Sequence, residues 1–311
     1  MEKLTLEQAK EKYGITPEKH KEIFENMYNK AFISTFMKSD LRSKEKAKER
    51  PTAVFIGGQV GAGKSNLIIL SAGEFFALGE DYILIDDDQY RKFYPNAELL
   101  SKYYPTFYTD ITALGSSVIT PKIMKAAIDG GYNFIFEGTM KNRRILDETM
   151  KKMPESTRKI VRVMATCYEE GILSAFERNE ELIASGNNSR FIKVPEYDKT
   201  YDGLTDTVEA IEDSGIAEIV EVYKRGRDDA RIPILVYSSA NENNVYKSAA
   251  EAIQVERTKN SLDIVNTIPR RLNAILKSPR EKTPEEIEQM KLLKATIKEH
   301  TGITLEEGEE R

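Results

Sequence analysis

One stretch constrains this chain more than any other: Thr52-Ala-Val-Phe-Ile-Gly-Gly-Gln-Val-Gly-Ala-Gly-Lys-Ser-Asn66. A short β-branched and apolar run predicts a strand, four glycines predict a tight loop, and Lys64-Ser65 opens a helix. The spacing Gly58-x4-Gly63-Lys64-Ser65 fits the P-loop pattern in the strand–loop–helix context that the pattern requires. Glycines there let backbone N–H groups of Gly58, Gln59, Gly61, Ala62 and Gly63 approach a phosphate that a side chain would keep away. The positive end of the following helix, with Ser65 and Asn66 in its first turn, adds to the same anion site. Lys64 is positioned by this pattern to reach the β- and γ-phosphates, and the Ser65 hydroxyl to hold Mg²⁺. The stretch therefore predicts a nucleoside-triphosphate site, for ATP or GTP with Mg²⁺.

Downstream of Pro51, predicted strands and helices alternate, which argues for an α/β fold with a mostly parallel central sheet between helical layers. Strands are predicted at Thr52–Ile56, Tyr82–Ile85, Asn133–Phe136, Lys159–Cys167, Ile219–Tyr223 and Ile234–Tyr237. Helices are predicted from the glycine loop to about Phe76, from Ile111 to about Asp129, and from Glu169 to about Ser185. Residues 1–50 read as a helical segment, with Ile23, Met27, Ala31 and Phe32 at helical spacing. The polar run Ser39–Arg50 reads as a solvated linker or helix end, and 246–311 as a helical extension of the 51–245 unit.

The net charge of −5 over 311 residues gives no electrostatic footprint for nucleic acid or an anionic membrane. No apolar run is long enough to span a bilayer and the N-terminus lacks an apolar signal region, so a cytoplasmic protein is expected. Cys167, the single cysteine, has no internal disulfide partner and reads as a core residue. His20 and His300 lie in charged helical segments, a poor basis for a metal site or a catalytic triad.

Ligands of open α/β sheets gather at the carboxyl ends of the strands. Three predicted strands end there in unusual sequences: the glycine loop, Asp86-Asp87-Asp88, and Glu137-Gly138-Thr139. Adjacent carboxylates repel, so the aspartates are expected to divide their work. One can cap the next helix, and another can accept a hydroxyl proton from an acceptor. Spacing alone does not say which does what. Glu137 can contact a substrate hydroxyl or a Mg²⁺-bound water. Arg178, and Arg190 in a lid-like segment between 186 and 201, can balance charge on a migrating phosphoryl group.

Taken as an ordered set, these motifs resemble the zeta toxin family, the kinases of toxin–antitoxin pairs related to UDP-N-acetylglucosamine kinases. The resemblance covers approximately residues 45–240. It rests on Gly57–Ser65, on Ile85-Asp86-Asp87-Asp88 followed by Arg91 and Pro95, on Gly131–Thr139, and on Arg178 and Arg190 with Asp198 behind them. It implies that Asp88 is the general base, and that Glu137, Thr139, Lys141 and Arg91 lie on the acceptor side. It also implies that Arg178 and Arg190 are lid arginines, that the acceptor is a nucleotide sugar, and that an antitoxin protein is a partner. The chain departs from the family pattern on the acceptor side. Tyr94 and Tyr197 stand where histidines are usual, Lys141 where an arginine is common, and Thr120-Pro121 where an acidic residue is expected. A kinase for another acceptor, such as a dinucleotide or a polynucleotide end, and an ATP-switched protein-binding module are the competing readings.

Overall fold

In the computed structural model of the chain, residues 4–38, 42–187, 191–227 and 231–304 are described, with the backbone alone at 260–263. Six strands form one sheet in the order β2-β3-β1-β4-β5-β6. They are β1 (Thr52–Gly57), β2 (Ile83–Asp86), β3 (Phe134–Glu137), β4 (Arg158–Met164), β5 (Ile219–Lys224) and β6 (Ile234–Ser238). All neighbours run parallel except β5 and β6. Five parallel strands fit β1 and β4, which are buried on both faces past their first residues, β1 as an apolar run and β4 with Lys159 and Arg162 buried among Ile160, Val161, Val163 and Met164.

The alternation of side chains along β1 assigns the two faces. Ala53 and Phe55 join a core with Phe134 of β3 and Val161 of β4, closed by α6 (Pro105–Gly130), α8 (Val194–Ser214) and α9 (Ala249–Ile264). Val54 and Ile56 face the other way, against Leu67 and Phe75 of α3 (Lys64–Ala77). The result is the helix–sheet–helix sandwich expected from the sequence. A second apolar cluster, at the carboxyl edge of the sheet, joins α7 (Tyr168–Ala184) and α8 to α10 (Ile268–Leu276) and α11 (Pro284–Thr301).

Ahead of the sheet, α1 (Leu6–Tyr13) and α2 (His20–Phe36) contribute Ala9, Met27, Ala31 and Phe36 to the larger core. The run read as a solvated linker is, where described at 42–50, tied to the amino edge of the sheet. Lys44 Nζ donates to the Tyr82 carbonyl at 2.7 Å and the Ala47 amide to the Gly131 carbonyl at 3.1 Å.

Two elements differ from the sequence reading. Helix α6 starts at Pro105 rather than Ile111, because Pro105 occupies the first turn, where a missing N–H is harmless. Pro121 lies within the same helix. The lid-like segment, where described, is mostly the beginning of α8, a helix of 21 residues. Arg190 lies outside the described residues.

Candidate functional site

Register brings the unusual strand ends together. Glu137 pairs with Ile56 on one side and with Asp86 on the other, so the glycine loop, the aspartates and Glu137 share one sheet edge. The loop itself is shaped by left-handed glycines, with φ of +75° at Gly61 and +92° at Gly63. Gly61 also lies against α7: an added Cβ would sit 2.0 Å from the Gly171 carbonyl oxygen. Glycine is needed here for both conformation and space.

Lys64, first residue of α3, is buried, and its ammonium turns onto its own loop. Nζ donates to the carbonyls of Gly58 at 2.9 Å and Gln59 at 3.1 Å, and lies 3.6 Å from Glu137 Oε1. Burial lowers the Lys64 pKa and the nearby Arg178 guanidinium lowers it further, while Glu137, Asp88 and Asp86 work against the shift. Asp88 and Arg178 are thus within electrostatic reach of Lys64, from β2's end and from α7. Ser65 is exposed in the first turn of α3, and Asn66 Nδ2 donates to the Arg231 carbonyl at 2.9 Å.

Each of the three aspartates has its own task. Asp86 caps α4 (Asp87–Tyr90), its Oδ1 accepting from the Asp88 amide at 2.9 Å. Asp87 turns into the protein and accepts from Ser116 at 3.0 Å and Thr120 at 2.8 Å on α6. Thr120 thereby anchors an aspartate at a position where the family pattern expects an acid. Asp88 lies within electrostatic reach of Lys64 and is held by Arg91 Nε at 2.9 Å. The Arg91 guanidinium further donates to the Thr109 carbonyl at 2.8 Å and reaches Asp87 at 3.3 Å. Arg91 thus ties the aspartate turn to α6.

Beyond Glu137, Thr139 is half-buried and Met140 adopts φ +50° with its side chain buried. Met140 Sδ lies where a Cβ at Gly57 would come within 2.5 Å, so Gly57 makes room for the Glu-Gly-Thr turn. Lys141 is exposed and electrostatically coupled to Glu196 on α8. Tyr94 is buried in the larger core, its hydroxyl donating to the Tyr13 carbonyl at 3.4 Å.

Two arginines that sequence reasoning missed brace the glycine loop from outside. Arg225, just past β5, donates through Nε to the Ala62 carbonyl at 3.0 Å and through Nη2 to the Gly61 carbonyl. Its Nη1 reaches Glu170 Oε1 and Ser174 Oγ on α7, both at 3.2 Å. Arg257, buried on α9, donates to Gln59 Oε1 at 3.4 Å and stacks 3.9 Å from the Tyr201 ring centroid. Gln59 in turn donates through Nε2 to the Thr166 carbonyl at 2.6 Å. The one available signal was a basic residue directly after a strand's carboxyl end, which flags Arg225; nothing local flags Arg257.

Comparison with known proteins comes to the same set of elements. The zeta toxin family model matches residues 38–250. Toxin PezT of Streptococcus pneumoniae serotype 4 is 26% identical over 212 residues, 68% of this chain and 79% of PezT. Toxin zeta of Enterococcus hirae is 24% identical over 243 residues, 78% of this chain and 82% of its own length. Among solved structures, the PezAT toxin–antitoxin system of Streptococcus pneumoniae superposes with a TM-score of 0.63 at 24% identity, over 85% of this chain and 99% of that one. The AvrRxo1-ORF1:ORF2 complex superposes with a TM-score of 0.53 at 11% identity, over 93% and 90% of the two chains. At those identities the structural matches speak for the fold.

Proposed function

Because the chain belongs to the zeta toxin family, the toxins of toxin–antitoxin systems, we propose that it is an ATP/Mg²⁺-dependent kinase of a nucleotide-sugar hydroxyl, with UDP-N-acetylglucosamine or a close relative as acceptor. The observation that carries this reading is the convergence of Lys64, Asp88, Glu137 and Arg178 on one sheet edge.

The residues fit the reactants. The loop carries glycines where side chains would block a phosphate, and Lys64 opens the helix behind it. Ser65 offers a hydroxyl oxygen in the first turn of α3, a hard donor that suits Mg²⁺. Bound there, the ion would neutralise charge on the phosphates. Asp88, oriented by Arg91, accepts the acceptor hydroxyl's proton as the new O–P bond forms. Lys64 leaves its loop carbonyls for the phosphates, and with Arg178 offsets negative charge as the bond to the ADP leaving group breaks. Glu137 holds Lys64 from the acceptor side. No described helix is long and apolar enough to cross a membrane. An antitoxin covering this edge is the proposed partner, in keeping with the PezAT assembly.

Purified protein with ATP, Mg²⁺ and a panel of nucleotide sugars should yield a product heavier by one phosphoryl group in mass spectrometry, and Asp88→Asn should not. No phosphorylated nucleotide sugar from the wild type would overturn the assignment. The burial of Tyr94 and the outward turn of Lys141 favour one second reading, the same transfer to a different small-molecule hydroxyl. A metabolite extract in the same assay decides between them.

A further inference from the structure

The C-terminal helices α10 and α11 lie outside the segment that the family model matches, yet they grip the helix that carries Arg178. Arg271 of α10 makes a two-pronged pair with Glu177, Nε to Oε1 at 2.8 Å and Nη2 to Oε2 at 2.5 Å. Its Nη2 also donates to Ser174 Oγ at 2.9 Å. Arg280, in the α10–α11 loop, makes a second two-pronged pair with Glu180, at 2.9 and 2.7 Å. Arg280 also binds Glu286, the fully buried residue of the α11 capping box. Glu177 and Glu180 bracket Arg178, one residue before it and two after. Forked arginine–carboxylate pairs fix orientation as well as distance. Ser174 meanwhile accepts from Arg225, which binds the Gly61 and Ala62 carbonyls. A continuous polar track therefore runs from the glycine loop through Arg225, Ser174 and Arg271 to Glu177.

We infer that Arg271 and Arg280 are positioning residues: the C-terminal helices set the location of Arg178 against the glycine loop and are part of the phosphoryl-transfer apparatus. The inference rests on the kinase reading above. A simple cover for the α7 surface would need apolar contacts, which the cluster around Leu272 and Leu293 already supplies. It would not need two forked pairs on either side of one arginine.

The test is a double-mutant cycle in the full chain, with kcat and KM for ATP as readouts. Arg271→Ala should lower kcat about 10- to 100-fold, the cost of misplacing a group that acts on the transition state. KM for ATP should change less, and added guanidinium should restore part of the rate. In an Arg178→Ala background, Arg271→Ala should have almost no further effect, because the two residues act as a unit. If Arg271→Ala does not fold, Glu177→Gln takes its place in the same cycle, with the same expectation. Wild-type kcat in Arg271→Ala, or an equal loss with and without Arg178, would overturn this inference alone. A wild type that transfers no phosphoryl group would overturn the kinase reading and this inference with it.

Discussion

Replacing Asp87 and Asp88 one at a time should separate stability from chemistry across a single peptide bond. Asp87 accepts three hydrogen bonds, from Ser116, Thr120 and Arg91, at 3.0, 2.8 and 3.3 Å. Bonds to a charged acceptor are worth about 1.5–3 kcal/mol each, so the unscreened sum is about 5–9 kcal/mol. Two facts reduce it. The Asp87 side chain is 39% exposed, which screens its charge. Both hydroxyls also have a second acceptor, Ala113 O at 3.2 Å for Ser116 and Ser116 O at 2.9 Å for Thr120. Asp87→Ala should therefore cost about 1.5–3 kcal/mol of unfolding free energy. Asp88→Asn keeps an acceptor for Arg91 and should cost less than about 1 kcal/mol. In a phosphotransfer assay the order reverses. Removing a general base costs about 10²–10⁴ in rate, so Asp88→Asn should be nearly inert. Asp87→Ala should keep most of its activity at a temperature where it is folded. Urea titrations and initial rates on the same preparations check both halves. Equal destabilisation by the two substitutions, or an active Asp88→Asn, would refute the division of labour.

The same geometry sets three further outcomes. Lys64→Met should abolish tight ATP binding in calorimetry and lower the urea midpoint, because Glu137 loses the ammonium 3.6 Å away and the Gly58 and Gln59 carbonyls lose their donor. Gly61→Ala should lose about 2–5 kcal/mol in the same titrations, from a left-handed backbone and a Cβ driven against the Gly171 carbonyl. Burial pushes the Cys167 thiol up to about 12, so it should resist thiol reagents in native protein at pH 8. With the folded value raised, stability from this group is intact below the unfolded thiol's pKa of about 8.5 and falls as pH climbs from there toward 12. Fast labelling at pH 8, or a urea midpoint that rises with pH over that window, would contradict the assignment.

The sheet and its glycine loop were legible because each is a local code: Thr52–Ile56 is apolar and β-branched, and the glycine spacing dictates both the loop and the helix behind it. The strand ends differ from the sequence reading by only a residue or so, apart from β4, which stops at Met164 rather than Cys167. There Ala165, Thr166 and Cys167 lead into α7 instead, and burial alone could not tell the two apart. Helix α8 was hidden by Tyr, Thr, Asp and Gly203, residues of modest helix propensity that tertiary packing overrides. The aspartate triplet was visible as a site, but its division depends on Ser116 and Thr120, far along the chain. The roles of Arg225, Arg257, Arg271 and Arg280 are set by the acceptors that folding brings to them, from residues far along the chain.

A phenol, Tyr197, sits beside Gln59 of the glycine loop. Tyr197 is fully buried, its hydroxyl donating to the Tyr168 carbonyl at 3.0 Å. Burial drives its pKa well above the usual tyrosine range. Where the resembled family places an imidazole, this protein thus keeps a group that neither gains nor sheds a proton near neutrality. The Tyr197 hydroxyl beside Gln59 therefore stays neutral through mild acidification.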